Sequence, residues 1–152
     1  MPAVTIAPST EACEAIRDRI NSGGAYTLAV NATIAEQFSD DQQAMTDLMV
    51  DVVALDEEQI DESLDVENRA SVQIGIEIRR KLESDSQALV DAMKLLVRQI
   101  FQRVNNFDSS NRRVRVWECG TDENENPNKE LLTNGLIFRS RLLLRVEVEP
   151  PA

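Results

Sequence analysis

The sequence predicts an α+β fold, in which one mostly antiparallel or mixed sheet of about five strands carries two helices packed on one face. Two segments repeat apolar residues every three to four positions, as amphipathic helices do. Several others alternate apolar and polar residues, as half-buried strands do. Because most of these strands follow one another without a helix between them, neighbouring strands are expected to run antiparallel. The chain has 152 residues, a length typical of one domain, so we predict a single domain over residues 1–152.

The first helix is predicted over residues 9–22. Ala12, Ile16 and Ile20 recur at a spacing of four and give one apolar stripe. A glycine pair at 23–24 then ends the helix, because glycine adopts the left-handed conformation of a helix C-terminus at little cost.

Three strands are predicted next, at residues 25–35, 46–55 and 71–82. The third, "SVQIGIEIRRKL", alternates most cleanly and then reaches a cationic pair. Gly75 lies in its middle, where it allows either a close approach by a neighbouring group or a bulge. Residues 56–70 are densely acidic, and both a long exposed loop and a short helix are consistent with this composition.

The longest helix is predicted over residues 84–105. Ser84 followed by Gln87 matches a capping box at its start. Leu96 and Ile100 belong to an apolar stripe at three-to-four spacing, which is expected to face the sheet.

The last two strands are predicted at residues 112–119 and 137–149, where apolar side chains again alternate with charged ones. Between them lies "GTDENENPNKELLTNG", which we predict as a flexible polar arm over about residues 120–135. Loops of this length in compact domains are usually functional or disordered.

Composition excludes most enzyme chemistry. The chain contains no histidine, which removes the commonest general base and the usual Ser and Cys triads. No glycine-rich phosphate loop is present, and the acidic stretch lacks the ligand spacing of a calcium loop. Cys13 and Cys119 are far apart and look like packing residues of a reducing compartment. We therefore predict no enzymatic activity and no catalytic, cofactor or metal site, with an enzyme based on paired carboxylates as an alternative.

Charge is distributed unevenly along the chain, whose formal net charge is −11. Residues 1–70 hold 3 basic and 15 acidic side chains, whereas residues 71–152 hold 13 basic and 12 acidic ones. A net negative charge argues against binding nucleic acid, because phosphates would be repelled. Two regions of unlike charge allow copies of the chain to meet in a complementary way. Ordinary surface charge is the alternative interpretation.

Arginines recur on the outward face of the last two strands, and a pair of them ends the third strand. If the last two strands are neighbours, their guanidinium groups crowd one sheet surface and repel one another unless anions cover them. Glu118, Glu147 and Glu149 of the same chain are one source of such anions, and the acidic residues of a neighbouring subunit are another. The candidate subunit-interface residues are Arg79, Arg80, Arg113, Arg115, Arg139, Arg141 and Arg145.

The order of elements from about Thr10 to Val148 resembles that of the tail terminator (tail completion) proteins of long-tailed bacteriophages. The resemblance begins with the N-terminal helix and a strand like "AYTLAVNATI". The next segment, "LMVDVVALDEE", is similar to the apolar strand that leads to a polar loop in that family. The alternating strand "VQIGIEIRRKL" and a helix like "ALVDAMKLLVRQIFQRV" follow. The long segment at 120–135 departs from the family pattern.

The resemblance implies a structural virion protein that forms a ring, usually a hexamer, at the head-proximal end of the tail tube. Its partners would be further copies of itself, the tail tube protein and neck or connector proteins, without a membrane or a cofactor. DNA would pass through the ring unbound, and the protein would be assembled in the host cytoplasm. Within such a ring an acidic lumen would repel phosphates. The candidate lumen-facing residues are Asp56, Glu57, Glu58, Asp61 and Glu62.

Two other functions remain open at this stage. One is another ring protein of the head–tail connector or neck. The other is a small non-viral protein-binding module that uses the arginine-rich face of its sheet.

Overall fold

A computed structural model describes residues 6–24, 26–38, 47–62, 67–84 and 86–149. The elements, in chain order, are α1 (Pro8–Asn21), β1 (Ala32–Ala35), β2 (Met49–Glu62), β3 (Glu67–Lys81), α2 (Gln87–Val104), β4 (Val114–Thr121), a 3₁₀ turn (Glu123–Glu125), α3 (Lys129–Gly135) and β5 (Ile137–Val148). The five strands form one sheet in the order β1-β2-β3-β5-β4. β1 runs parallel to β2, and the other neighbours are antiparallel. The α+β class and the mixed five-stranded sheet are confirmed.

Both predicted helices pack against the sheet. The apolar stripes of α1 and α2 join the inward residues of β2, β3, β4 and β5 in one buried cluster. The C-terminal ends of the two helices are also tied together: Arg19 Nε donates to the Arg103 carbonyl at 2.9 Å, and Arg103 Nε donates to the Arg19 carbonyl at 3.0 Å. These bonds satisfy carbonyl groups that a helix end leaves without an intrahelical partner.

The segment at 120–135, predicted as a polar arm, contains regular elements, so the predicted number of two helices needs correction to three in the described chain. It contains the end of β4, a 3₁₀ turn and the third helix α3. The Asn128 side chain caps α3 by accepting a hydrogen bond from the Leu131 backbone N–H at 3.1 Å. Leu132 packs against the core. With so few apolar residues in a polar segment, no helical periodicity was visible in the sequence.

The acidic segment at 56–70 also differs from the prediction, because most of it forms strands rather than a loop or a helix. β2 and β3 pair from Met49↔Arg79 to Glu62↔Glu67, with an irregularity between Ala54 and Asp56. β5 pairs with β3 only from Ala70 onward. The hairpin therefore reaches past the rest of the sheet by three residue pairs, which is about 10 Å at the usual strand rise.

Two local predictions were wrong. The first strand is limited to Ala32–Ala35, although Leu28 and Val30 do pack against the core; apolar residues can alternate and be buried without joining a ladder. The capping box is also absent, because α2 begins at Gln87 after Ser86, and no side chain caps it.

Candidate interaction surface

The face of the sheet that points away from the helices is called here the outer face. It carries an ionic network that crosses three strands and reaches the 3₁₀ turn. Asp51 on β2, Glu77 and Arg79 on β3, and Arg141 on β5 occupy facing or adjacent positions of the ladder. The network consists of Asp51, Glu77, Arg79, Glu125, Arg139 and Arg141.

Glu77 is the centre of this network and is fully buried. Its Oε1 accepts a hydrogen bond from Arg79 Nη1 at 2.7 Å, and its Oε2 accepts one from Arg141 Nε at 2.8 Å. Arg79 Nη1 also donates to Asp51 Oδ2 at 2.6 Å, and Asp51 Oδ1 accepts from the hydroxyl of Thr33 on β1 at 3.0 Å. Removing Glu77 would take a buried negative charge from between two arginines, which is costly in a site with little access to water.

The far end of the network involves the segment that the sequence predicted as an arm. Glu125 of the 3₁₀ turn accepts two bonds from Arg139, from Nε and Nη2, each at 2.7 Å. Asn128 Nδ2 donates to the same carboxylate at 3.0 Å. This fork-to-carboxylate geometry is the strongest ion-pair arrangement that arginine makes, and it holds residues 122–128 against the edge of the sheet.

Gly75 lies in the row of the outer face next to Glu77, and the structure decides between the two interpretations given above. A Cβ atom at Gly75 would overlap Cζ of Phe38, so the glycine permits a close approach. The Phe38 ring also lies 4.1 Å from the guanidinium carbon of Arg141, which is favourable cation–π geometry. Phe38 therefore covers the middle of the outer face next to the network.

A second cluster lies at the hairpin end of the outer face. Glu147 on β5 accepts from Arg69 Nη1 at 3.1 Å and lies 3.5 Å from Arg115 Nη2. The indole N–H of Trp117 also donates to Glu147, although the Trp117 side chain is 57% exposed. The Arg115 guanidinium lies over the Trp117 ring at 5.2 Å.

The remaining predicted interface arginines lie apart from the network. Arg113 binds Glu11 of α1 at 2.9 Å and the Glu149 carbonyl. Arg145 is exposed and faces Glu118 across the ladder, and Arg80 lies near the end of β3 opposite Phe138.

Carboxylates of the same chain therefore neutralise most of the predicted arginines. Of the carboxylates named from the sequence, Glu147 pairs with the predicted Arg115, whereas the Glu149 carboxylate pairs with Arg69, which was not among the predicted arginines. The prediction missed three further carboxylates, Asp51, Glu77 and Glu125, which lie on other elements. Glu77 could have been found, because residues two apart on a strand share one face. The role of the arginines at a subunit interface stays a prediction.

The acidic residues of the hairpin behave differently. Asp56, Glu57 and Glu58 are exposed. Asp61 and Glu62 belong to the last residue pairs of β2, and their side chains lie outside the described part of the chain. Glu57 Oε1 accepts the Ser9 backbone N–H at 2.8 Å on the helix side. Lumen exposure of these residues stays a prediction.

A groove that the sequence analysis did not find lies between α2 and the segment from the end of β4 to α3. It consists of two adjoining hollows of about 420 and 400 Å³ that share Lys94. The charged residues lining them are Lys94, Arg98 and Lys129, and no acidic residue is among the described lining residues. We call this the cationic groove. Its only signal in the sequence is the spacing of four between Lys94 and Arg98, which places both on one side of α2.

Reactive groups are scarce in the described residues. Burial raises the pKa of both the Cys13 and the Cys119 thiols to about 11, so both remain protonated near neutral pH. Among the residues with described positions, no group of three or more His, Cys, Asp or Glu is arranged to hold a metal ion. No helix within the same ranges is both long and apolar enough to cross a membrane.

No protein-family model and no curated protein matches the chain. Among solved structures, the chain is similar to the sheath/tube terminator, in its extended state, of the extracellular contractile injection system PVC, determined by cryo-EM. The TM-score is 0.40 and the identity 15%, over the whole of this chain. The chain spans 59% of the length of that protein.

Proposed function

We propose that the chain is a structural subunit of a phage-type tail, a tail terminator that closes the end of the tail tube as a ring and joins it to the neck. The proposal rests on the order of its elements from Thr10 to Val148, which resembles that family. Its partners would be copies of itself, the tail tube protein and neck proteins. It would be located in the virion after assembly in the host cytoplasm.

The projecting hairpin of β2 and β3 is the observation that most supports this proposal. Beyond Val53, β2 pairs only with β3 among the described strands. Such an exposed strand edge is a liability for a protein that acts alone, since it offers unpaired backbone groups to other chains. In a ring the same hairpin has a use, because it can reach a neighbour or line the bore. Acidic residues at its tip, such as Asp61 and Glu62, would keep DNA from adhering to that bore.

The test is the mass of the purified full chain in solution, measured by native mass spectrometry and light scattering over a range of protein and salt concentrations. We expect a closed ring of about six copies, the number that the family resemblance implies; repeated head-to-tail contacts between unlike patches give a ring when the rotation between copies closes. Electron microscopy should then show the ring at one end of tail tubes.

Other outcomes would favour the alternatives. A stable twofold dimer would contradict the ring and favour a small protein-binding module. A ring that binds neck proteins but never the ends of tubes would indicate a connector ring instead.

A further inference from the structure

Two separate places in the described chain combine exposed charges of one sign with an exposed leucine. The first is the outer side of the hairpin, where Leu55, Asp56 and Glu58 are all exposed. We call these three residues the acidic strip. Asp56 and Glu58 face Gln73 and Ser71 of β3 across the ladder, so neither faces a basic residue there.

The second place is the cationic groove beside α2. Lys94 and Arg98 are exposed, and Leu95 between them is 49% exposed. The walls of the groove also include the apolar residues Val97 and Phe101. A groove that combines cations with apolar walls suits a segment that combines carboxylates with an apolar residue.

We infer that the acidic strip of one copy docks in the cationic groove of the next copy. The charges are complementary, and an exposed leucine accompanies each surface: Leu55 belongs to the strip, and Leu95 follows the groove residue Lys94 on α2. The inference deepens the proposed function, on which it rests, because it names the surfaces that join neighbouring subunits. It also moves the contact away from the arginines of the outer face, whose carboxylate partners lie in the same chain.

The positions of the two surfaces fit a head-to-tail contact. The acidic strip is on β2, next to the short strand β1 at one edge of the sheet, and the cationic groove borders β4 at the other edge. Contacts between two unlike patches at opposite edges place successive copies side by side, and such a series closes into a ring when the rotations between copies add up to a full turn. Two identical strips would instead repel each other, which disfavours a twofold dimer through this surface.

The end of the hairpin takes no part in the proposed docking contact. Docking uses Asp56 and Glu58, which lie before the last residue pairs of β2. Asp61 and Glu62 lie farther along the strand and are not needed for the contact.

The test is a charge swap on the full chain, with mass in solution as the readout. The strip variant carries Asp56→Lys and Glu58→Lys, and the groove variant carries Lys94→Glu and Arg98→Glu. Each variant alone brings like charges together and should associate about tenfold or more weakly than the natural chain. An equimolar mixture should recover the natural mass, because each lysine strip then meets a glutamate groove and each acidic strip meets a basic groove.

Two controls separate this contact from general effects of charge. Glu36→Lys with Glu83→Lys changes the net charge as much as the strip variant does, at exposed positions elsewhere, and should leave the mass unchanged. Lys81→Glu with Arg145→Glu changes the net charge as much as the groove variant does, also at exposed positions elsewhere, and should likewise leave the mass unchanged.

The outcomes distinguish the inference from the proposed function. Rings that persist unchanged in both the strip and the groove variants would overturn the docking contact while leaving the ring itself intact. A mass that falls for Lys81→Glu with Arg145→Glu, but not for the groove variant, would overturn it in favour of the arginine face. A mixture that stays dissociated after both variants have dissociated alone would also overturn it. A natural chain that forms only monomers or a twofold dimer would count against the ring and the contact together.

Discussion

The ionic network and the acidic strip are built on the same strands, yet they use charge differently. In the network, Glu77 is fully buried, Arg139 is 3% exposed, and each partner lies within the chain. In the strip, Asp56 and Glu58 are exposed and face neutral residues. Buried pairs fix the geometry of a sheet, because breaking one leaves an unpaired charge in a region of low polarity. Exposed charges add little to stability and remain available to a partner.

The largest effect is expected from Glu77→Gln, which removes the negative charge between Arg79 and Arg141. We expect a loss of roughly 3–5 kcal/mol in the free energy of unfolding, because two arginines then remain in a poorly solvated site. Urea denaturation followed by circular dichroism measures it. Glu83→Gln is the matched control, since Glu83 is exposed, and an equal loss in both variants would refute the distinction between the two regions.

The fork between Arg139 and Glu125 provides a second comparison within the molecule. Arg139→Lys keeps the charge but loses the two parallel bonds, and we expect it to cost about 1.5–3 kcal/mol. Arg115→Lys alters a more exposed pair on the same face and should cost about 0–1 kcal/mol. The same denaturation measurement applies, and reversed values would show that burial does not decide the contribution.

Gly75→Ala tests the contact with Phe38. The new methyl group would overlap the ring, and displacing it should cost about 1–3 kcal/mol, as overpacking usually does. Phe38→Ala removes the obstacle, so the double variant should be more stable than the sum of the two single effects implies. Strict additivity in this double-mutant cycle would mean that the ring does not lie on Gly75.

The smallest effect on stability is expected for the strip variant. Asp56→Lys with Glu58→Lys should change the free energy of unfolding by no more than about 0.5 kcal/mol, as is usual for exposed substitutions. The measurement is the urea midpoint at a protein concentration at which the chain is monomeric. A large loss would show that the strip serves the fold of its own chain and would contradict the distinction between the strip and the network.

Part of the fold was predictable because it depends on local repetition. The alternation in β3 and β5 predicted which side chains are buried, and Ile74, Ile76, Leu142 and Leu144 are indeed in the core. The stripe of α2 was predicted for the same reason. The extension of the hairpin was not predictable, since acidic residues are poor strand formers. These acidic residues lie in strands because residues 49–62 pair with residues 67–81.

The ion-pair partners and the groove residues were harder to predict from the sequence. The partners of Arg79, Arg139 and Arg141 were missed because Asp51 and Glu125 are brought to them by strand order, by register and by the 3₁₀ turn. The cationic groove combines residues of α2, β4 and α3, and no single stretch of sequence contains that pattern.

The sequence by itself determined the class of the fold, the inward faces of the long strands and helices, and the uneven distribution of charge. These features follow from periodicity and composition, which are properties of short stretches of chain. Only the tertiary structure decided which charges neutralise one another and which remain exposed. Ion pairing depends on distances of a few ångström between side chains that are far apart in sequence, and those distances exist only after the strands have taken their order and register.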